Sequence, residues 1–250
     1  MNNLIENLNK LHTTQMGMKR IKRNLNLQTD DVILWCEEAV KQAEIMIRQG
    51  KNWYVYRSGA VITINAHSYT LITAHKLNAK VRVMRESDYE CLPEFLYQAI
   101  FIPEGVEPPP RSIINESEIF VYIEGFGTQK GDLGVVAEQN GQVIGAAWTR
   151  IIPAYGHIND EIPELAISIL PKFRGYGIGT KLLKNLFNIL RKNNYKRTSL
   201  SVQQDNPALR LYQRLGYEII DEKKDHAGHK DYIMIKEMSS TNQKGARNRL

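Results

Sequence analysis

Cysteine is scarce in this chain, and long apolar runs are absent. The two cysteines, Cys36 and Cys91, have no metal-ligand spacing to each other or to a histidine. Neither a disulfide framework nor a metal is therefore expected, and both thiols read as reduced and structural. No apolar stretch approaches the ~18–20 residues needed to cross a bilayer, so a membrane is not expected as a partner. The opening stretch, MNNLIENLNKLHTT, lacks the basic-then-apolar order of a secretory leader and the Arg/Ser-rich make-up of a transit peptide. No internal repeat recurs. These absences leave a cytoplasmic globular protein as the expectation.

What is present fits that class. At 250 residues, with 42% hydrophobic and 24% charged, the chain can bury one large core or two small ones. Its net charge of +6 is uneven. Residues 1–80 carry eleven Lys+Arg against six Asp+Glu, residues 81–238 carry nineteen against twenty-one, and the last twelve carry three basic residues and no acid. A surplus of five over eighty residues is a weak nucleic-acid footprint. The run Lys19, Arg20, Lys22, Arg23 reads as a solvated helix face, and nucleic acid is not expected as a partner.

Three regions separate by pattern: 1–78, 79–238 and 239–250. In the first, Leu4, Leu8 and Leu11, then Ile21 and Leu25, recur at helical spacing. A helix is predicted over Asp30–Gln49, with Asp30 or Asp31 as its N-cap and Gly50 as its stop. Trp53–Tyr56, Val61–Asn65 and Tyr69–Ala74 read as a small antiparallel meander, giving a small basic α+β module. In the second region, strands are predicted near Val81–Met84, Leu133–Glu138, Val143–Arg150, Leu165–Leu170, Thr198–Val202, Glu218–Asp221 and Asp231–Met238. Asn140-Gly141 supplies a hairpin turn. Helices are predicted over Asp88–Ile100, Asn115–Gly125, Thr180–Lys192 and Asn206–Leu215. The third region is polar and without periodicity, and reads as a disordered tail.

The strongest chemical signal is LAISILPKFRGYGIGTKLLKNLF. A short apolar strand runs into Pro171, then Gly175, Gly177 and Gly179 alternate with larger residues, and Leu182, Leu183, Leu186, Ile189 and Leu190 mark an amphipathic helix. Such a loop aims backbone N–H groups and a helix N-terminus at one point, where an anion is stabilised. Arg174 and Thr180 offer side-chain donors to the same anion. A Walker A loop needs Lys before Ser/Thr, whereas Thr180-Lys181 stands in the opposite order. A dinucleotide fingerprint needs G-x-G-x-x-G, and this is G-x-G-x-G. Taken alone, the loop is also compatible with a glycine-rich turn that binds nothing.

The run R-G-Y-G-I-G after a strand and a proline resembles the pyrophosphate signature of the GNAT superfamily of N-acetyltransferases. Downstream, N-P-A-L-R-L-Y-Q-R-L-G-Y (Asn206–Tyr217) is similar to that family's second signature. The resemblance covers about residues 81–238. It implies an α/β (α+β) fold with a mixed, splayed β-sheet flanked by helices, and acetyl-CoA as co-substrate. It further implies that the exposed edge of Ile167, Ser168 and Ile169 pairs with the pantetheine arm. The loop Arg174–Thr180 would hold the pyrophosphate, on main-chain N–H groups of Gly175, Tyr176, Gly177, Ile178, Gly179 and Thr180, and Asn206 would contact the cofactor.

The implied reaction is direct attack of a primary amine, of a small molecule or a protein, on the thioester. Tyr212 would protonate the leaving thiolate; otherwise it is an aromatic packed under its helix. Glu164 is the candidate base, although a carboxylate at a strand start is more often merely solvated. Tyr155, His157, Asp160 and Glu161 are candidates for the acceptor side. His67, His75, His226 and His229 read as turn or surface residues. Residues 1–77 resemble a small bacterial domain of unknown function, and their make-up suggests a recognition or regulatory module. A monomer or homodimer is expected. The alternative is a non-catalytic acyl-CoA sensor whose basic N-terminal module binds nucleic acid or a protein partner.

Overall fold

Thr14 and Asp31 open the first two helices by the same device. Each side-chain oxygen accepts an orphan first-turn N–H, from Gly17 at 3.1 Å and from Leu34 at 2.9 Å. In the computed structural model, which describes residues 4–57, 59–77, 79–224 and 230–238, these helices are α1 (Gln15–Leu25) and α2 (Val32–Lys41). Leu4, Leu8 and Leu11 belong to or flank a 3-10 turn, Ile5–Lys10. The expected tail, 239–250, and His226 and His229 lie outside the described residues. The chain divides after residue 78 into two compact units.

In the first unit, β1 (Ile45–Gln49), β2 (Asn52–Arg57), β3 (Ala60–Asn65) and β4 (Leu71–Lys76) form an antiparallel sheet in sequential order. The helix predicted over Asp30–Gln49 thus ends at Lys41, and its last five residues are an edge strand. Ile45 and Ile47 lie opposite Tyr56 and Tyr54, and such β-branched and aromatic cross-strand pairs outweigh continuation of the amphipathic helix. Gly50, expected as a helix stop, has φ +57° and turns the chain into β2. Ile21, Cys36, Val40, Val55, Ile62 and Ile64 are fully or almost fully buried between the helices and the sheet.

The second unit is built on seven strands in the order β10-β11-β9-β8-β7-β6-β5. They are β5 (Lys80–Val83), β6 (Leu133–Gln139), β7 (Gln142–Arg150), β8 (Glu164–Ile169), β9 (Arg197–Gln203), β10 (Glu218–Lys224) and β11 (Lys230–Glu237). Asn140 and Gly141, at φ +52° and +79°, make the two-residue turn between β6 and β7. All neighbours are antiparallel except β8 and β9. The helices are α3 (Leu92–Ala99), α4 (Ser117–Phe120), α5 (Ile178–Lys192) and α6 (Leu209–Arg214). The helix predicted over Asp88–Ile100 begins as a 3-10 turn, Glu86–Cys91. The one predicted over Asn115–Gly125 shortens to α4 followed by turns.

Alternation along β8 sets the layers. Ser168 donates to the Phe95 carbonyl of α3 at 2.6 Å, while Ile169 packs near Gly179 of α5. The mixed sheet is therefore flanked by α3 on one face and α5 on the other. Leu182, Leu183, Leu186, Phe187 and Leu190 form the buried stripe of α5.

One ionic contact pins the segment after α4 to the sheet. Arg150 at the end of β7 donates through Nε to Asp132 at 2.8 Å, and both side chains are almost wholly buried, at 2% and 1% exposure. Its Nη1 donates to the carbonyls of Val121 and Glu124 at 2.8 and 2.7 Å. Removing one partner of a buried pair strands the other charge, whereas replacing both with apolar groups costs less. Arg150→Met is expected to lower the unfolding free energy by about 3–5 kcal/mol, and adding Asp132→Leu should restore part of it. Urea denaturation checks both variants; a single-variant loss below about 1 kcal/mol, the range of surface pairs, would contradict this role.

Candidate active site

Strands β8 and β9 run parallel but pair only at Glu164 and Ser199. Beyond that pair they part. The Leu170 N–H donates to the Ile144 carbonyl of β7 at 3.0 Å. Strand alternation therefore directs the main-chain groups of Ser168 toward β7 and leaves those of Ile167 and Ile169 on the open edge. Of the three residues expected on that edge, Ile167 and Ile169 present backbone groups there, while Ser168 is engaged on both sides. The cleft between the strands has a volume of about 350 Å³ and is lined by Glu164 and Ile167, by Gln203 of β9, and by Asn206, Tyr212 and Asp231.

At the end of β8 the chain passes through a 3-10 turn, Pro171–Phe173, into the glycine loop. Gly175 and Gly177 have φ of +83° and +76°, and a Cβ added at either would meet nothing within 4 Å. These two glycines are thus demanded by backbone conformation, and the space above them is open. Gly179 serves differently: a Cβ there would lie 3.1 Å from Leu211 and 3.5 Å from Ile169. It allows α5 to approach α6 and β8 closely. No side chain caps α5, so the first-turn N–H groups of Ile178, Gly179 and Thr180 have no intrahelical acceptor. Ile178 is buried, and Tyr176 and Thr180 are half-buried. Arg174, expected to reach over this loop, is folded back instead. Its Nε donates to the Ile169 carbonyl at 2.9 Å and its Nη2 to the Gln98 carbonyl at 3.1 Å.

Glu164 stands where the two strands begin to part, and is only 3% exposed. Its Oε1 accepts two hydrogen bonds, from the Tyr122 hydroxyl and from the Gly156 N–H at 2.8 Å. Its Oε2 is buried and has no hydrogen-bond partner among the described residues. Burial pushes the carboxyl pKa up to about 7; the donors Tyr122 and Gly156, and the charge of Lys223, pull the other way. Gly156 can be there only as glycine, since a Cβ would sit 2.7 Å from the β9 backbone at Leu200 and Ser201.

Tyr212 lies across the cleft on α6, 8% exposed, with its ring edge-on to Tyr217 at 5.8 Å between centroids. Burial raises its pKa above the ordinary phenol range. Asn206 lines the cleft, but its Oδ1 accepts the Ala208 N–H at 2.9 Å and so shapes the turn into α6. Tyr155 also lines the cleft and donates to Glu118 at 3.2 Å. His157, Asp160 and Glu161 do not line it; His157 and Asp160 approach each other at 3.7 Å.

Tyr122, Gly156 and Asp231 enter the site without having been singled out in the sequence. Tyr122 and Glu164 are 42 positions apart, and nothing in the local pattern links them. The asparagine and proline residues before β8 signal only a loop, not that its glycine crosses a neighbouring strand. Among the described residues no cluster of metal-ligating side chains occurs, and both cysteines are free.

Comparison with known proteins gives two family matches. Residues 5–75 match a protein family of unknown function (DUF3781), and residues 97–217 match the acetyltransferase (GNAT) family. The chain is 30% identical over 106 residues to the [ribosomal protein bS18]-alanine N-acetyltransferase of Haemophilus influenzae, covering 40% of this chain and 68% of that protein. It is 32% identical over 98 residues to N-alpha-acetyltransferase 50 of Danio rerio, covering 38% of this chain and 57% of that protein. In fold, the N-acetyltransferase of Staphylococcus aureus Mu50 aligns with a TM-score of 0.50 at 19% identity, over 65% of this chain and all of that one. With its strand–glycine loop–helix unit, its parted sheet and these matches, the chain belongs to the GNAT acetyltransferase family through its second unit, and carries ahead of it a domain of the DUF3781 family.

Proposed function

We propose that the second unit, residues 79–238, transfers the acetyl group of acetyl-CoA to a primary amine, with Glu164 as base and Tyr212 as acid. The observation that carries this reading is the edge of β8 left without a strand partner, which runs from a buried carboxylate at one end to an uncapped helix N-terminus at the other. A linear ligand with amide groups can satisfy Ile167 and the Ile169 N–H on that edge, the Ile169 carbonyl being held by Arg174 until that side chain turns away. A diphosphate can lie over Gly175 and Gly177 against the N–H groups of Ile178, Gly179 and Thr180, which favour anions. Arg174 is near enough in sequence to turn from Ile169 toward that charge. Acetyl-CoA, when bound, supplies an activated thioester.

The chain's own residues supply proton transfer. An amine attacks only when neutral, so a group must first take its proton. Oε2 of Glu164 is the lone pair left over once Oε1 is occupied. A carboxylate near pKa 7 receives a proton more readily from an α-ammonium group, at about 8, than from a lysine, at about 10.4. This favours an α-amine, in a small molecule or at a peptide N-terminus, and the two relatives are named for acetylation of an alanine nitrogen and of an α-nitrogen. Tyr212 keeps its proton through the working pH range and gives it to the departing sulfur.

The first unit is read as a recognition or regulatory module, and the protein as cytoplasmic, in keeping with its free thiols. No helix among the described residues is long and apolar enough to cross a membrane.

Thiol release from acetyl-CoA in the presence of a panel of amines, including a peptide with a free N-terminal alanine, tests the reading. Acceptor-dependent release is expected, falling at least ~10-fold in Tyr212→Phe while acetyl-CoA still raises the melting temperature of that variant. A thermal shift with no release from the native protein by any amine would favour the sensor alternative. Absence of both would defeat the cofactor assignment. The rate kcat/KM should rise with pH through about 7, because the base must be ionised.

Stability should move the other way. A carboxyl whose folded pKa is raised from 4.5 to about 7 favours folding when protonated. That contribution is intact below pH 4.5 and is lost progressively up to about pH 7. Glu164→Gln, neutral at every pH, should therefore exceed the native protein in stability above pH 7 by up to about 3 kcal/mol, and match it near pH 4.5. Unfolding curves at pH 5 and pH 8 check the sign; a variant destabilised more at pH 8 than at pH 5 would contradict it.

A further inference from the structure

We infer that Tyr122 is a positioning residue for Glu164, holding one carboxylate oxygen so that the other is left to take the proton of the acceptor amine. The inference rests on the reading of Glu164 as base and extends it to a residue that touches neither cofactor nor reacting atom in its proposed role.

Tyr122 is anchored on three sides. Its own carbonyl accepts the Trp148 Nε1–H at 2.9 Å. The carbonyls of its neighbours Val121 and Glu124 accept from Arg150 Nη1. Trp148 and Arg150 both belong to β7, and Arg150 is the cross-strand partner of Glu164 on β8. The strand beside the carboxylate thus fixes the backbone that carries the tyrosine. From that frame the hydroxyl donates to Oε1 of Glu164, which also accepts the Gly156 N–H. Among the described residues, two donors on one oxygen and none on the other fix the plane of the carboxylate and make its two oxygens chemically unequal. Donation to the ionised form also favours it against burial. Tyr122 itself is held well above the ordinary phenol range, first by burial and then by Glu164, so it remains a donor throughout.

The other charged and titratable groups around Glu164 do not duplicate this role. Arg150 is committed to Asp132 at 2.8 Å. Tyr155 is committed to Glu118 at 3.2 Å. His157 and Asp160 face one another at 3.7 Å. Lys223 acts on Glu164 through its charge and not through a hydrogen bond, and Asp231 shares the cleft.

The test is a titration of Glu164 in the full-length protein, followed by the 13C resonance of its labelled carboxyl, with Glu164→Gln identifying the signal. In Tyr122→Phe, which keeps the ring and removes only the hydroxyl, the midpoint should rise by about one pH unit. With 3-fluorotyrosine at position 122, a stronger donor of the same shape, it should fall. Thiol release with the N-terminal-alanine peptide as probe should drop about tenfold in Tyr122→Phe, with acetyl-CoA affinity unchanged and the acidic limb of the pH profile displaced to higher pH. A midpoint that stays at the native value in both variants overturns the inference, as does a loss of rate that is uniform across pH. If instead Glu164→Gln releases thiol as fast as the native protein, the base assignment fails, and the measured midpoints still report separately whether Tyr122 holds the carboxylate.

Discussion

A parallel strand pair that ends after one residue pair leaves a row of backbone donors and acceptors without strand partners, and an enclosed row of that kind is costly unless something fills it. In this protein the parting of β8 from β9 after Glu164 and Ser199 is the constraint on which the second unit depends. The junction is held by Pro163, whose carbonyl accepts both the Ser199 N–H at 3.1 Å and the Thr198 hydroxyl at 2.8 Å. Proline has no N–H of its own, so its carbonyl can close the pair while the strand starts without an unmet donor. From that hinge one edge faces the cleft and the other is fastened to β7. The carboxylate sits where the dielectric is low, and the glycine loop lies at the far end.

The glycines around the cleft serve three physical purposes, although the sequence presents them alike. Gly175 and Gly177 supply left-handed backbone beneath open space, Gly179 lets α5 touch Leu211 and Ile169, and Gly156 passes over the backbone of β9. A side chain at the first pair would strain the loop, one at Gly179 would push helices apart, and one at Gly156 would displace the donor to Glu164. The same separation holds for the charges. The Arg150–Asp132 pair is buried to fix a segment of chain, whereas Glu164 is buried with one oxygen unmet, and only the second arrangement is chemically poised.

Elements with a strong local period were legible in the sequence. The strand–glycine loop–helix unit, the Asn140-Gly141 hairpin and the stripe of α5 all follow from spacing and turn chemistry. Reading failed where a non-local partner decides the outcome. Ile45–Gln49 continues the helical pattern of α2, yet it becomes a strand because Tyr54 and Tyr56 lie beside it. Arg174 follows the loop motif in sequence, yet its guanidinium folds onto Ile169 and Gln98. Tyr122 gives no signal at all, because its significance arises from β7 and from a carboxylate 42 residues away. Glu164 was visible only as an acid before a strand; its burial and its two donors on one oxygen are properties of the fold.

Backbone hydrogen–deuterium exchange of the full-length protein, with and without acetyl-CoA, tests the central claim that the open edge and the loop beside it form one binding surface. The account predicts slowed exchange on binding at Ile167, at Ile169 and across Gly175–Thr180, with the amide of Ser168, already directed to β7, little changed. Slowed exchange confined to other segments, or none at all at saturating acetyl-CoA, would contradict it.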